Sequence, residues 1–69
     1  MTQTEFFKHV GIELKVARIR IYKSTTDIAK LTGLSVGCIQ DIEAGKTDPK
    51  LSTLKRYADA LGVSLKEVM

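Results

Sequence analysis

Between Thr25 and Ala44 the chain reads TTDIAKLTGLSVGCIQDIEA, and four residues in this stretch restrict its geometry more than any others. Ala29 falls midway along a short predicted helix, where a small side chain lets a second helix cross closely. Four residues later Gly33 supplies the left-handed conformation that stops a helix and turns the chain sharply at no steric cost. Leu34 then packs inward, and Ser35 caps a second helix. Ile39 and Ile42, three apart, fall on one side of that helix and pack under Ile28 and Ala29. The spacing predicts a helix-turn-helix over about residues 25–44.

At about 3.6 residues per turn, Val36, Gly37, Gln40, Asp41 and Ala44 share the face opposite Ile39 and Ile42. For an arbitrary short helix, a solvated surface is the simpler account of such a face. The four anchors at these offsets favour another one, because in a helix-turn-helix the second helix enters the DNA major groove and its first residues meet base edges. On that reading Val36 contacts a thymine methyl and Gly37 permits close backbone approach. Gln40 bonds adenine or a phosphate, and Asp41 accepts from cytosine. The face holds no Lys or Arg to grip guanine, so groove shape and flexibility supply part of the specificity.

A chain of 69 residues accommodates a single domain, 1–69, and folding at this size buries only about 60% of the unfolded surface. Hydrophobic residues at 43% and charged residues at 28% place it among globular chains rather than disordered tails. Eleven Lys and Arg against eight Asp and Glu leave a net charge of +3, which permits nucleic-acid binding without arguing for it. No apolar run approaches the roughly 18 residues of a membrane span, and Lys8 and His9 interrupt the only early apolar stretch. A cytoplasmic location is expected, and the lone cysteine, Cys38, agrees with a reducing compartment. Cys38 reads as a small packing residue and His9 as an exposed polar one.

Around the central stretch, periodicity predicts a first helix from about Thr4 to Ile21, with Thr2 and Glu5 forming a capping box. Phe7, Val10, Leu14, Ala17 and Ile21 make its core stripe, and Ile12, Val16 and Ile19 make a second apolar line roughly opposite. That second line is either a contact surface for another chain or scattered surface aliphatics flanked by Lys15 and Arg20. Ser24 opens the next helix with Asp27 returning a capping bond, which leaves the backbone N–H groups of Thr25 and Thr26 for a phosphate. After Gly45, Lys46, Thr47 and Lys50 lie in a loop suited to the DNA backbone, with Lys30 and Lys55 weaker candidates. A fourth helix is expected at about Leu51 to Leu61, burying Leu51, Leu54, Ala58 and Leu61 and ending at Gly62. Ser64 and Glu67 are expected to box a last turn that carries Leu65, Val68 and Met69.

Taken together, G-x-x-L-K-x-A-R from Gly11 to Arg18, I-A-x-x-x-G-L-S from Ile28 to Ser35 and I-x-x-I-E-x-G-K from Ile39 to Lys46 resemble the Cro and phage-repressor (XRE-like) family of bacterial and phage regulators. Pro49, Leu51, Leu54 and A-L-G-V-S-L from Ala60 to Leu65 continue the match to Val68. The resemblance implies an all-α, compact five-helix, lambda-repressor-like fold and a homodimeric transcriptional regulator, a repressor or autoregulator, on an inverted-repeat operator. It also implies an ion pair between Arg18 and Glu43 that ties helix one to the recognition helix, and a two-fold contact through Tyr57, Val63, Leu65 and Met69. A core role for Tyr57 competes with that placement. Two departures stand out. Thr25 occupies a position where the family commonly has Gln, and Lys23 one that is usually apolar, whose pocket Ile21 or Tyr22 is then expected to fill.

Catalysis is not expected, since one His, one Cys and no clustered carboxylates leave a nucleophile or metal without partners, and no Gly-rich phosphate loop occurs. Neither a metal nor a cofactor is expected. The competing function is a helix-turn-helix scaffold of antitoxin or antirepressor type acting on a protein partner, motivated by the sparse base-reading face and the second apolar line.

Overall fold

The computed structural model describes residues 2–69, and α1, Gln3–Arg20, is its longest helix. The Thr2 Oγ1 accepts the Glu5 amide at 3.1 Å, which caps the first turn. The Glu5 carboxylate in turn accepts from the Thr2 hydroxyl, also at 3.1 Å, so the expected box closes between the two side chains. Val10 and Leu14 are buried and Ala17 packs against the core, as the periodicity requires. The two ends of the stripe differ from expectation. Phe6 rather than Phe7 reaches the core, while Phe7 sits half-buried beside Gly45 and Lys46. Ile21 is 40% exposed, because the helix ends at Arg20 and Tyr22 takes a left-handed φ of 58°, turning the chain off the helical path.

Four shorter helices follow: α2 (Thr25–Thr32), α3 (Val36–Ala44), α4 (Leu51–Leu61) and α5 (Leu65–Val68), with no strand among the described residues. Gly33, at φ 76°, ends α2 where the motif requires a turn, and Ile28, Ile39 and Ile42 are buried beneath it. Those three join Val10, Leu14, Leu54, Tyr57, Ala58, Leu61 and Val68 in one core, with Ala29, Leu34 and Cys38 packed against it. A close helix crossing also lies at Gly11. A Cβ added to Gly11 would lie 2.4 Å from the Ile42 carbonyl oxygen and 2.7 Å from that of Glu43, so α1 meets α3 backbone to backbone.

Two expectations for the C-terminal third are corrected. Leu51 is 64% exposed, because it occupies the first position of α4, where the core does not extend beneath it. The stripe that buries α4 is Leu54, Tyr57, Ala58 and Leu61. Ser64 makes no side-chain cap with Glu67; the Glu67 amide donates to the Ser64 carbonyl at 3.0 Å, since α5 is a single short turn.

Candidate nucleic-acid interface

The first turn of α2 is built by a reciprocal capping box: the Asp27 amide donates to Ser24 Oγ at 3.0 Å and the Ser24 amide to Asp27 Oδ2 at 2.9 Å. The bond from the Ser24 backbone, and next the Ser24 side chain, hold the Asp27 carboxyl below its ordinary pKa. Thr25 is half-buried and Thr26 exposed at this helix start. At the other end of α2 the Arg56 guanidinium donates to the Thr32 carbonyl, satisfying an acceptor that the turn leaves free.

Ser35 Oγ accepts the Cys38 amide at 3.0 Å and so begins α3. Ile39 and Ile42 hold the inner side of this helix, whereas Gly37, Gln40, Asp41 and Ala44 are exposed and Val36 is half-exposed. The outward face therefore has the composition read from the sequence, with no cation on it. Gly45, at φ 68°, ends the helix, and Lys46, Thr47 and Lys50 are exposed in the loop beyond. A bond from Gln3 Nε2 to Asp48 Oδ2 at 2.9 Å ties that loop to the start of α1. Lys30 is exposed, and Lys55 is paired with Asp59 at 2.9 Å on the surface.

The orientation of α3 rests on a polar cluster with Glu43 at its centre. Arg18 grips this carboxylate with two nitrogens, Nε to Oε2 at 2.8 Å and Nη2 to Oε1 at 3.1 Å, and its Nη1 donates to the Lys23 carbonyl at 2.8 Å. The side chains of Arg18 and Glu43 are only 12% and 7% exposed, so the charge-assisted fork operates largely out of water. The Tyr57 hydroxyl donates to Glu43 Oε2 as well. The hydrogen bond to Glu43 raises the Arg18 pKa, against a smaller opposing effect of burial. Burial first, and then the bond to Glu43, push the Tyr57 phenol well above its usual value. Side chains from α1 and α4 thus meet at Glu43 of α3, and Arg18 is held in turn by the Lys23 carbonyl that precedes α2.

Tyr57 consequently leaves the proposed two-fold contact: it is fully buried and spoken for by Glu43. The sequence carried the signal, since Tyr57 falls on the stripe of Leu54, Ala58 and Leu61, but nothing local indicated its partner. Val63 and Leu65 pack partly against the core, and Met69 is 50% exposed. Neither Ile21 nor Tyr22 fills a pocket near Lys23; Tyr22 is 94% exposed because its left-handed backbone directs it outward. Ile12, Val16 and Ile19 are exposed by 57%, 38% and 54%, so the second line on α1 is uncovered. Among the described residues no three His, Cys, Asp or Glu side chains are grouped to hold a metal, and no helix is long and apolar enough to cross a membrane.

The HTH_3 helix-turn-helix family profile matches residues 14–68. No curated protein matches the chain. Among solved structures, an HTH_3 family transcriptional regulator from Vibrio cholerae aligns over 97% of this chain at 30% identity and a TM-score of 0.89. The aligned region is 38% of that protein, so this chain spans well under half of its length. The restriction-modification controller protein C.AhdI from Aeromonas hydrophila aligns over 94% of this chain and 97% of its own, at 25% identity and a TM-score of 0.86. A hypothetical transcription factor from Neisseria shares the fold, with a TM-score of 0.87 over 99% of this chain and 78% of its own at 19% identity. With its core, its turn at Gly33 and the Arg18–Glu43 pair in place, the chain belongs to the HTH_3, XRE-like helix-turn-helix family of DNA-binding transcriptional regulators.

Proposed function

We propose that this protein is a sequence-specific, double-stranded DNA-binding transcriptional regulator that works as a homodimeric repressor or autoregulator, without catalysis and with residues 1–69 acting as one DNA-binding domain. The observation that carries the reading is the contrast across α3. Its inner side is fixed by buried isoleucines and a forked ion pair, and its outer face meets only solvent. A helix held this rigidly with a bare outer face suits insertion into the major groove. Val36, Gly37, Gln40 and Asp41 then meet base edges. Thr25 and Thr26 at the start of α2, the Ser35 hydroxyl, and Lys46, Thr47 and Lys50 beyond α3 meet phosphates, which set register and most of the salt dependence.

A two-fold contact through Val63, Leu65 and Met69 puts two recognition helices about one DNA turn apart, on an inverted repeat. A regulator of this kind acts in the cytoplasm. A second reading, action through a protein partner, is favoured by one observation, the uncovered Ile12, Val16 and Ile19 on α1.

Selection of bound duplexes from a random DNA pool, at two salt concentrations, separates the readings. An enriched inverted repeat with half-sites about one helical turn apart, and affinity falling steeply with salt, is the expected result. Recovery of no sequence, with binding that merely vanishes as salt rises, overturns direct operator reading and moves attention to Ile12 and Val16. Replacing those two by Glu then abolishes partner capture.

A further inference from the structure

Three helices end on the same pair of backbone bonds. At the end of α3 the Gly45 amide donates to the Ile42 carbonyl at 3.1 Å and the Lys46 amide to that of Asp41 at 3.0 Å. At the end of α4 the Gly62 amide donates to the Asp59 carbonyl at 3.0 Å and the Val63 amide to that of Ala58 at 3.1 Å. At the end of α1 the glycine's place is taken by Tyr22, whose amide donates to the Ile19 carbonyl at 3.0 Å while the Lys23 amide donates to that of Arg18 at 3.2 Å. This pattern requires a left-handed residue, and Gly45, Gly62 and Tyr22 have φ of 68°, 74° and 58°. Glycine adopts that conformation freely, whereas a residue with a Cβ is strained in it. Tyr22 is the one non-glycine residue with positive φ among the described residues. Packing within the fold does not offset the strain, because the side chain is 94% exposed.

The surroundings indicate what the ring meets. Tyr22 stands three residues before Thr25, at most about 11 Å of chain away, and the DNA-binding reading above puts phosphates at Thr25 and Thr26. From Val16 to Thr26 the chain has no carboxylate, and Arg20 and Lys23 are exposed on either side of Tyr22. The local field therefore favours an anion, and a phenol hydroxyl donates well to a phosphate oxygen. The turn is also fixed relative to the recognition helix: Arg18 donates to the Lys23 carbonyl at 2.8 Å with one nitrogen while two others hold Glu43 of α3. A phosphate held at Tyr22 thus lies at a set offset from α3. We propose that Tyr22 is a DNA-backbone contact, its hydroxyl donating to a phosphate beside the start of α2 and so helping to set the register of α3 in the groove. The inference rests on the DNA-binding reading above and adds a contact residue to that same interface.

The test uses the 69-residue chain, its Tyr22→Phe and Tyr22→Gly variants and the operator recovered by selection. Tyr22→Phe keeps the ring and the left-handed backbone and deletes only the hydroxyl. It is expected to melt with the parent and to bind the operator about tenfold more weakly on each half-site, as for the loss of a hydrogen bond to a charged group. The selected sequence should not change, because phosphate contacts carry no sequence information. Tyr22→Gly, relieved of strain, is expected to melt about 4 °C higher and to bind as weakly as Tyr22→Phe. Replacing operator phosphates one at a time by methylphosphonate locates the partner. At one position in each half-site the parent should lose about tenfold and Tyr22→Phe far less. The inference is overturned if Tyr22→Phe binds as tightly as the parent, if Tyr22→Gly melts lower, or if methylphosphonate costs parent and Tyr22→Phe alike at every position. Tight binding by Tyr22→Phe would turn attention to a protein surface as the partner of this ring. A parent chain with no operator preference removes the DNA-binding reading and this inference together, whereas a parent chain that does prefer an operator leaves any of the former outcomes to count against the inference alone.

Discussion

The two sides of α3 are built on opposite principles. On the inner side Ile39 and Ile42 are buried, the Ile42 and Glu43 carbonyls lie against Gly11, and Glu43 is held by Arg18 and Tyr57. On the outer side Gly37, Gln40, Asp41 and Ala44 are exposed. Interiors are close-packed and tolerate little change, whereas exposed residues away from special backbone positions contribute little to stability. The inner side therefore fixes where the helix sits, and the outer side is free to vary with what the helix reads.

Substitutions can break that contrast. The largest effect is expected from Gly11→Ala, whose new Cβ would fall 2.4 Å from the Ile42 carbonyl and force α1 and α3 apart. A loss of about 3 kcal/mol in urea unfolding is expected, enough to unfold much of a domain this small. A loss below about 0.5 kcal/mol in the same measurement would show that the crossing can slide.

Tyr57→Phe comes next, deleting the hydroxyl that Glu43 accepts while keeping the ring in the core, at a cost of about 1 kcal/mol near neutral pH. Because folding raises the Tyr57 pKa above its ordinary 10.0, its contribution is fully present below that pH and is lost as pH rises through the higher folded value. The parent chain's lead over the variant should shrink above about pH 10. A lead that stays constant there would remove the coupling between Tyr57 ionisation and folding.

Asp27→Ala is expected to do less, loosening one end of α2. The Asp27 pKa is lowered from 3.8, so its contribution is present above that value and is lost as pH falls through the lower folded one. Thermal unfolding of parent and variant should converge in acid, and a gap that persists well below that pH would rule out the capping carboxylate as its source.

Smallest in stability is the outer pair, Gln40→Ala with Asp41→Ala, where a change within about 0.5 kcal/mol is expected. The same pair should weaken or retarget operator binding, by about 1–3 kcal/mol for each base that is no longer read. Unchanged stability with unchanged DNA selection would leave the outer face without a role in reading bases.

The helix-turn-helix was legible because its signals are local. Ser24 with Asp27, Gly33, Ser35 and Gly45 are caps that act within one turn, and Ile28, Ile39 and Ile42 follow helical spacing. The outward face of α3 followed from the same arithmetic, with all five residues at least partly exposed. Periodicity was less dependable where elements end. Ile21 and Leu51 continue their stripes in sequence, yet each lies at a helix end and is exposed. Spacing says which way a residue points, not whether a neighbour reaches that far.

Tyr57 shows the limit most directly. Its place on the α4 stripe was visible, and its bond to Glu43 was not. Caps, turns and amphipathic faces depend on residues within about four positions of one another, so the order of residues is enough to specify them. The backbone contact at Gly11, the Arg56 bond to Thr32 and the meeting of Arg18 and Tyr57 at Glu43 join residues far apart in the chain. Those depend on how the helices cross, which is set when the whole core packs together.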